Sequence, residues 1–137
     1  YKMQEEIPDE LIRKRARHVI SENQRVLNSV SSMLKGDILQ FGALMNASHE
    51  SLRDNYEVTG SELDAMVEAA WKINGVVGSR MTGAGFGGCT VSLVREEKID
   101  LFISKVAEEF YSKTGLTAEF YIAEISDGVR EIIVHNS

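Results

Sequence analysis

The chain has one cysteine and one proline in 137 residues. A lone Cys89 allows neither an internal disulfide nor a cysteine zinc site. That usage fits a reducing compartment, and a cytoplasmic setting is expected. No apolar run approaches the length of a membrane span, and no signal-peptide pattern opens the chain, so no membrane partner is expected. There is no basic excess either. The net charge of -6 argues against a general nucleic-acid binder. The histidines, His18, His49 and His135, are too scattered to suggest a metal site. Internal repeats and low-complexity linkers are lacking.

What is present is ordinary for a soluble globular protein: 43% hydrophobic and 26% charged residues. The length suits a single domain over 1–137, with a real core. The chain opens on Tyr1 rather than methionine, as a piece of something longer would.

The first 75 residues read as helices. Ile12, Ala16, Val19, Val26, Val30 and Met33 recur at helical spacing, predicting a helix over 9–35 between Pro8 and Gly36. Asp37, with Gln40 three residues on, resembles a capping box and starts a helix over 37–52. Ser61 is read as the cap of a third, over 61–73, with Leu63, Met66, Val67, Ala70 and Trp71 on its core side. The period then changes. "VVGSRMT" and "CTVSLV" read as strands over 76–82 and 89–94. A fourth helix is expected over 98–113, ended by Gly115, and further strands over 118–125 and 129–134. The class is therefore α+β: an antiparallel sheet of about four strands with helices packed on one face.

Between the first two strands lies "TGAGFGG", with four glycines in six positions. It satisfies G-x-G-x-x-G, but the dinucleotide fingerprint needs a helix directly after the glycines, and here a strand follows. A Walker phosphate loop fails too, since no Gly-Lys-Ser or Gly-Lys-Thr follows. Two readings of a glycine loop between strands stay open. Its N–H groups form an anion-binding nest, or the glycines serve only the geometry of a structural hairpin.

Other features have plain readings beside functional ones. The basic run Arg13, Lys14, Arg15, Arg17, His18 and Arg25 reads as a solvated helix face, with His18 and Glu22 spaced for an i,i+4 pair. Asn46, His49 and Arg53 share one side of the second helix, as cleft residues or as a helix face satisfying itself. Cys89 lacks a signalled base and reads as a small buried strand residue. Arg80 and Thr82 alternate along a strand and face the same way. Phe86 either docks into the core or shields a cleft.

"SRMTGAGFGGCTVSLV" closely resembles the third signature motif of galactokinases, a branch of the GHMP small-molecule kinases. "RARHVISENQRVL" and "GALMNASHESLRDNYEVTGSELDAMVEAA" are similar to the helices upstream of that motif, in the same order. The resemblance implies a ferredoxin-like C-terminal domain of a two-domain kinase. It implies ATP and Mg2+ as cofactors, galactose as substrate, and transfer of the γ-phosphoryl of ATP to the sugar's 1-hydroxyl. The N-terminal domain of the same kinase is the implied partner. Thr82, Gly83, Ala84, Gly85, Phe86, Gly87 and Gly88 are the implied ligand-proximal loop, where bare backbone approaches a phosphate or sugar.

The family's sugar signature, serine-rich phosphate loop and catalytic aspartate have no counterpart here. No catalytic residue and no metal ligand is assigned to this chain, which is expected to bind no cofactor and to be inactive alone. A stand-alone module sensing sugar or nucleotide without chemistry is the alternative. Another GHMP kinase, acting on mevalonate or homoserine, is less favoured by "GAGFGG" and "SHESLRD". A domain parted from its neighbour exposes an apolar face, so these 137 residues are expected to self-associate. Size-exclusion chromatography with light scattering checks this, and a clean monomer at high concentration counts against it.

Overall fold

The computed structural model describes residues 6–124. Helix α1 (Glu10–Leu34) is followed by α2 (Ile38–Ser51), a π-helical turn (Leu52–Tyr56) and α3 (Gly60–Trp71). Strands β1 (Val76–Thr82) and β2 (Cys89–Val94) come next, then a 3-10 turn (Glu96–Lys98) and α4 (Ile99–Thr114). The chain is thus α+β, with four helices and a two-stranded antiparallel sheet among the described residues.

The helix ends follow local chemistry. The Asp9 carboxylate accepts from Ile12 N–H and the Asp37 carboxylate from Gln40 N–H, each at 3.0 Å, covering N–H groups that have no partner inside the helix. Gly115 closes α4 in a left-handed conformation, with its N–H on the Tyr111 carbonyl. One cap differs from expectation. Thr59 rather than Ser61 precedes α3, and neither Thr59 nor Ser61 caps the helix through its side chain: Ser61 donates to Glu62 instead.

Among the described residues the sheet has two of the four strands expected. Residues 118–124 carry no strand pairing among the described residues. Their apolar content is used otherwise. Phe120 meets Phe102 of α4 edge-on, with ring centroids 6.2 Å apart, and joins a cluster of Ala69, Ala70 and Val106. The strand expected over 129–134 lies outside the described residues. A second cluster, Leu52, Leu63 and Met81 with Val58 against it, sits where the π turn, α3 and β1 meet.

Helix α2 runs along the free edge of β1, and what holds it there is mostly polar. A β-carbon on Gly42 would lie 2.0 Å from the Val77 carbonyl oxygen, and one on Gly78 would lie 2.6 Å from the Gly42 oxygen. Both positions must be glycine for the two backbones to come so close. The ladder slips by one residue at this point, between Val76 and Gly78. Further along the seam, Ser79 N–H donates to Asn46 Oδ1 at 2.8 Å and Met81 N–H donates to His49 Nδ1 at 3.2 Å. Two side chains on successive turns of α2 therefore satisfy alternate N–H groups of β1, as a neighbouring strand would.

Helix α1 departs most from its sequence pattern. Its apolar stripe stays open: Val26, Val30 and Met33 are 56%, 47% and 55% exposed. It docks through polar groups instead. His18 is buried, with Nδ1 3.0 Å from Ser51 Oγ and its ring against Tyr56. Arg15 donates to the Asn55 carbonyl and to Glu57, both at 2.6 Å. The expected His18–Glu22 pair is replaced. Glu22 accepts from Arg25 and Ser48, each at 2.5 Å, and lies 3.5 Å from Arg80.

The seam predicts two graded losses. Gly42→Ala drives a methyl into a carbonyl with no room to retreat, and costs about 3 kcal/mol or more of stability. Asn46→Ala strands the buried Ser79 N–H and costs about 1–3 kcal/mol. Urea midpoints of the two variants against the parent chain check the order.

Candidate functional site

The hairpin from Thr82 to Gly88 joins β1 to β2, and its shape is built from left-handed residues. Gly83, Gly85 and Gly87 have φ of 79°, 88° and 91°, and Phe86 between the last two has φ of 56°. Left-handed backbone is free for glycine and costs other residues about 1 kcal/mol or more. The glycines differ in what else constrains them. Nothing lies within 4 Å of a β-carbon placed on Gly83 or Gly87. One on Gly85 would sit 2.0 Å from the Val58 carbonyl oxygen and 3.3 Å from Met81 Cε.

Gly85 is therefore the foot of the loop. It rests on the chain between the π turn and α3, with the Met81 methyl beneath it. Phe86 N–H donates to the same Val58 carbonyl at 2.9 Å, and Val58 N–H is held by the Leu52 carbonyl. Outside the β ladder, this Phe86 bond is the one backbone hydrogen bond of the loop among the described residues. The rest stands clear. Thr82, Gly83, Ala84, Phe86, Gly87 and Gly88 are all exposed, with Gly85 half-buried. The Phe86 ring is 76% exposed, so it does not dock into the core. Cys89, read from the sequence as buried, is exposed as well, because it opens β2 at the rim of the hairpin.

Strand alternation divides the neighbouring side chains. Ser79 and Met81 turn inward, buried towards α3. Arg80 and Thr82 face the other way, together as expected, into an open groove shared with Val26, Val30, Leu44 and Val91. Arg53 is not brought to the loop; it pairs with Asp54 at 2.8 Å and lies 3.8 Å from Glu68.

His49 and Asn46 were visible in the sequence as one helix face, but their task was not. Each holds a backbone N–H of the strand that feeds the loop. The His49 side chain has no exposure, its Nε2 lies 3.2 Å from Asp64 Oδ1 without a well-aligned hydrogen bond, and Trp71 meets its ring edge-on. Burial lowers the His49 pKa from its ordinary value, with the Asp64 charge opposing. Burial lowers that of His18 too, opposed by Glu22. Neutral His49 with Nδ1 accepting must carry its proton on Nε2, towards Asp64. Sequence reasoning missed Val58 and Met81, the seat of the loop. Ordinary apolar residues carry no chemical mark of such a role.

Residues 29–112 match the family model described as GHMP kinases C terminal. The chain belongs to the GHMP kinases. Within that family it is 56% identical to a galactokinase of Fusobacterium nucleatum over 131 residues, covering 96% of this chain and 34% of the relative. It is 51% identical to a galactokinase of Bacillus subtilis over 126 residues, covering 92% of this chain and 32% of the relative. The chain thus spans about a third of the length of the curated relatives it matches. Among solved structures it is similar to Lactococcus lactis galactokinase complexed with galactose, with a TM-score of 0.85 at 47% identity. That match covers 87% of this chain and 31% of that one. The mevalonate kinase of L. major shares the fold at 22% identity and a TM-score of 0.65.

The two kinds of glycine separate experimentally. Gly85→Ala meets both a carbonyl and a disfavoured φ and costs about 3 kcal/mol or more. Gly87→Ala meets only the φ and costs about 1 kcal/mol. Denaturant unfolding of both variants tests the difference.

Proposed function

We propose that this chain is the C-terminal part of a galactokinase, and that the hairpin Thr82–Gly88 borders the site where the γ-phosphoryl of ATP passes to the 1-hydroxyl of galactose. The observation that carries this reading is an exposed glycine hairpin fixed at one foot, in a chain about half identical to galactokinases over nearly all its length. The catalytic carboxylate and serine-rich phosphate loop belong to the N-terminal domain, the implied partner of this one.

Phosphoryl transfer depends on positioning and on stabilising charge. ATP supplies the phosphoryl group, and Mg2+ offsets the charge that develops on it. The hairpin suits the anionic side of that arrangement. Its open face is main chain without side-chain cover at Gly83 and Gly87, so a phosphate or sugar oxygen comes up to N–H groups directly. The metal is assigned to the partner domain, with the catalytic carboxylate and the phosphate loop that the resemblance places there. A hairpin held at Gly85 keeps those N–H groups oriented before the ligand arrives. The soluble, cytoplasmic setting and the single-domain reading of 1–137 belong to the same proposal. So does self-association through the open α1 stripe when the chain stands alone.

The test is a coupled ADP-release assay. The full-length protein turns over ATP in a galactose-dependent manner, and these 137 residues alone do not. In the full-length protein, Gly87→Ala lowers kcat/KM by about tenfold or more, while its stability falls by only about 1 kcal/mol. No galactose-dependent turnover sinks the kinase reading. Turnover with unchanged Gly87→Ala kinetics removes the hairpin from the site.

A further inference from the structure

We propose that His49 is a positioning residue for the glycine hairpin: its buried imidazole, accepting the Met81 N–H, sets the angle at which β1 enters the loop. The kinetic consequence rests on the galactokinase reading above; the structural consequence does not.

The path is short and continuous. His49 Nδ1 accepts from Met81 N–H at 3.2 Å, and neither residue has appreciable exposure. The Met81 methyl lies under Gly85, and Gly85 and Phe86 are seated on the Val58 carbonyl. One residue separates Met81 from the first loop glycine. A shift of Met81 therefore moves the foot of the hairpin and its entry together.

The imidazole is suited to this task only while neutral. Protonation at Nδ1 presents a donor to an N–H that needs an acceptor. Charged and titratable groups reach the ring from three elements. Asp64 on α3 lies 3.2 Å from Nε2 and favours the charged ring. Arg53 and Asp54 of the π turn act through space with opposite signs, and Arg80 of β1 opposes a second positive charge. Trp71 adds an apolar wall. Burial outweighs the pull of the Asp64 charge, so the folded-state pKa lies below the ordinary 6.5. The sign follows. Below that ordinary value the unfolded chain takes up a proton that the folded site resists. Order at the seam is thus full above pH 6.5 and is lost as the pH falls towards the lowered folded-state value.

The experiment uses the full-length protein as wild type, His49→Asn and His49→Leu. Asparagine places Oδ1 near the position of Nδ1 and does not titrate; leucine offers no acceptor. Hydrogen exchange of the Met81 amide, corrected for its intrinsic rate, is read between about pH 7.5 and pH 5.5. Wild-type protection is expected to fall severalfold over that range, with about tenfold as the ceiling that a single site with an unfolded value of 6.5 allows, and that of His49→Asn to stay level. The kcat for galactose phosphorylation has an acid limb in wild type, placed below pH 6.5 at the lowered folded-state value, and His49→Asn lacks it. In His49→Leu, kcat drops by about tenfold or more at every pH, with KM for galactose within about threefold of wild type.

If His49→Leu fails to fold, His49→Asn decides alone. A merely structural histidine would lower the stability of both variants and leave the pH profiles superimposed. Superimposed profiles, or wild-type Met81 protection that ignores pH, overturn the proposal. If the wild type shows no galactose turnover, the galactokinase reading fails and Met81 protection alone decides.

Discussion

The close contact of Gly42 with Val77 and Gly78 is the constraint on which the rest of the structure depends. Only there can the backbone of a helix touch the backbone of a strand, because neither side has a β-carbon in the way. That contact fixes the height of α2 beside β1. It brings Asn46 and His49, one and two turns further along, level with the N–H groups of Ser79 and Met81. A larger residue at Gly42 or Gly78 would hold the helix off, and both polar side chains would then fall short. The two hydrogen bonds contribute only about 1 kcal/mol each when made, but each buried N–H left unmet costs about 1–3 kcal/mol. The seam is therefore enforced mainly by what its loss would expose.

An edge strand closed by side chains differs from one closed by another strand. A third strand would extend the ladder and carry the sheet past Thr82. The last helix side chain to meet the strand is His49 at Met81, and β1 enters the hairpin after Thr82. The hairpin then needs a second support, which the Val58 carbonyl provides. With one foot on Val58 and its entry tied to α2, the loop leaves six of its seven residues exposed without being free to wander. Glycine is used in two ways here. Gly85 makes room for a carbonyl, whereas Gly83 and Gly87 permit turns in open space.

Much of this was legible in the residues, for local reasons. Asp9, Asp37, Gly36 and Gly115 mark helix ends because capping is decided within four residues. The hairpin was legible for the same reason. What covers an apolar run was not. Residues 118–124 read as a strand, and among the described residues their aromatic content seats Phe120 on Phe102. The stripe on α1 obeyed helical spacing and was still left open, because periodicity reports which face is apolar and not what covers it. His18 illustrates the same limit. Its spacing to Glu22 allowed an ion pair within the helix, yet the nearby Ser51 from α2 took its Nδ1. At the candidate site the loop was found and its seat was not. Val58 and Met81 act through a carbonyl, a methyl and an N–H, which every sequence contains.

The distribution of apolar surface bears on why the polar seam matters so much. Buried apolar residues gather in two small clusters among the described residues, one around Met81 and one around Val106, with Ala65, Val67 and Phe110 buried beside them. Leu27, Val30, Met33 and Leu39 remain exposed. Burial worth about 25 cal/mol per Å² of apolar area is divided between centres that α3 alone bridges. Neither centre fixes the direction of β1, because apolar packing has little directional preference. Direction comes from the groups that have it: Asn46 and His49 on one side of the strand, the Trp71 indole donating to the Ser79 carbonyl, and Ser79 bonded to Ser92 across the ladder. The strand that delivers the glycine hairpin is thus aimed by hydrogen bonds and merely held by its core. Changes at buried polar residues should therefore redirect the loop at smaller cost to overall stability than changes in either cluster.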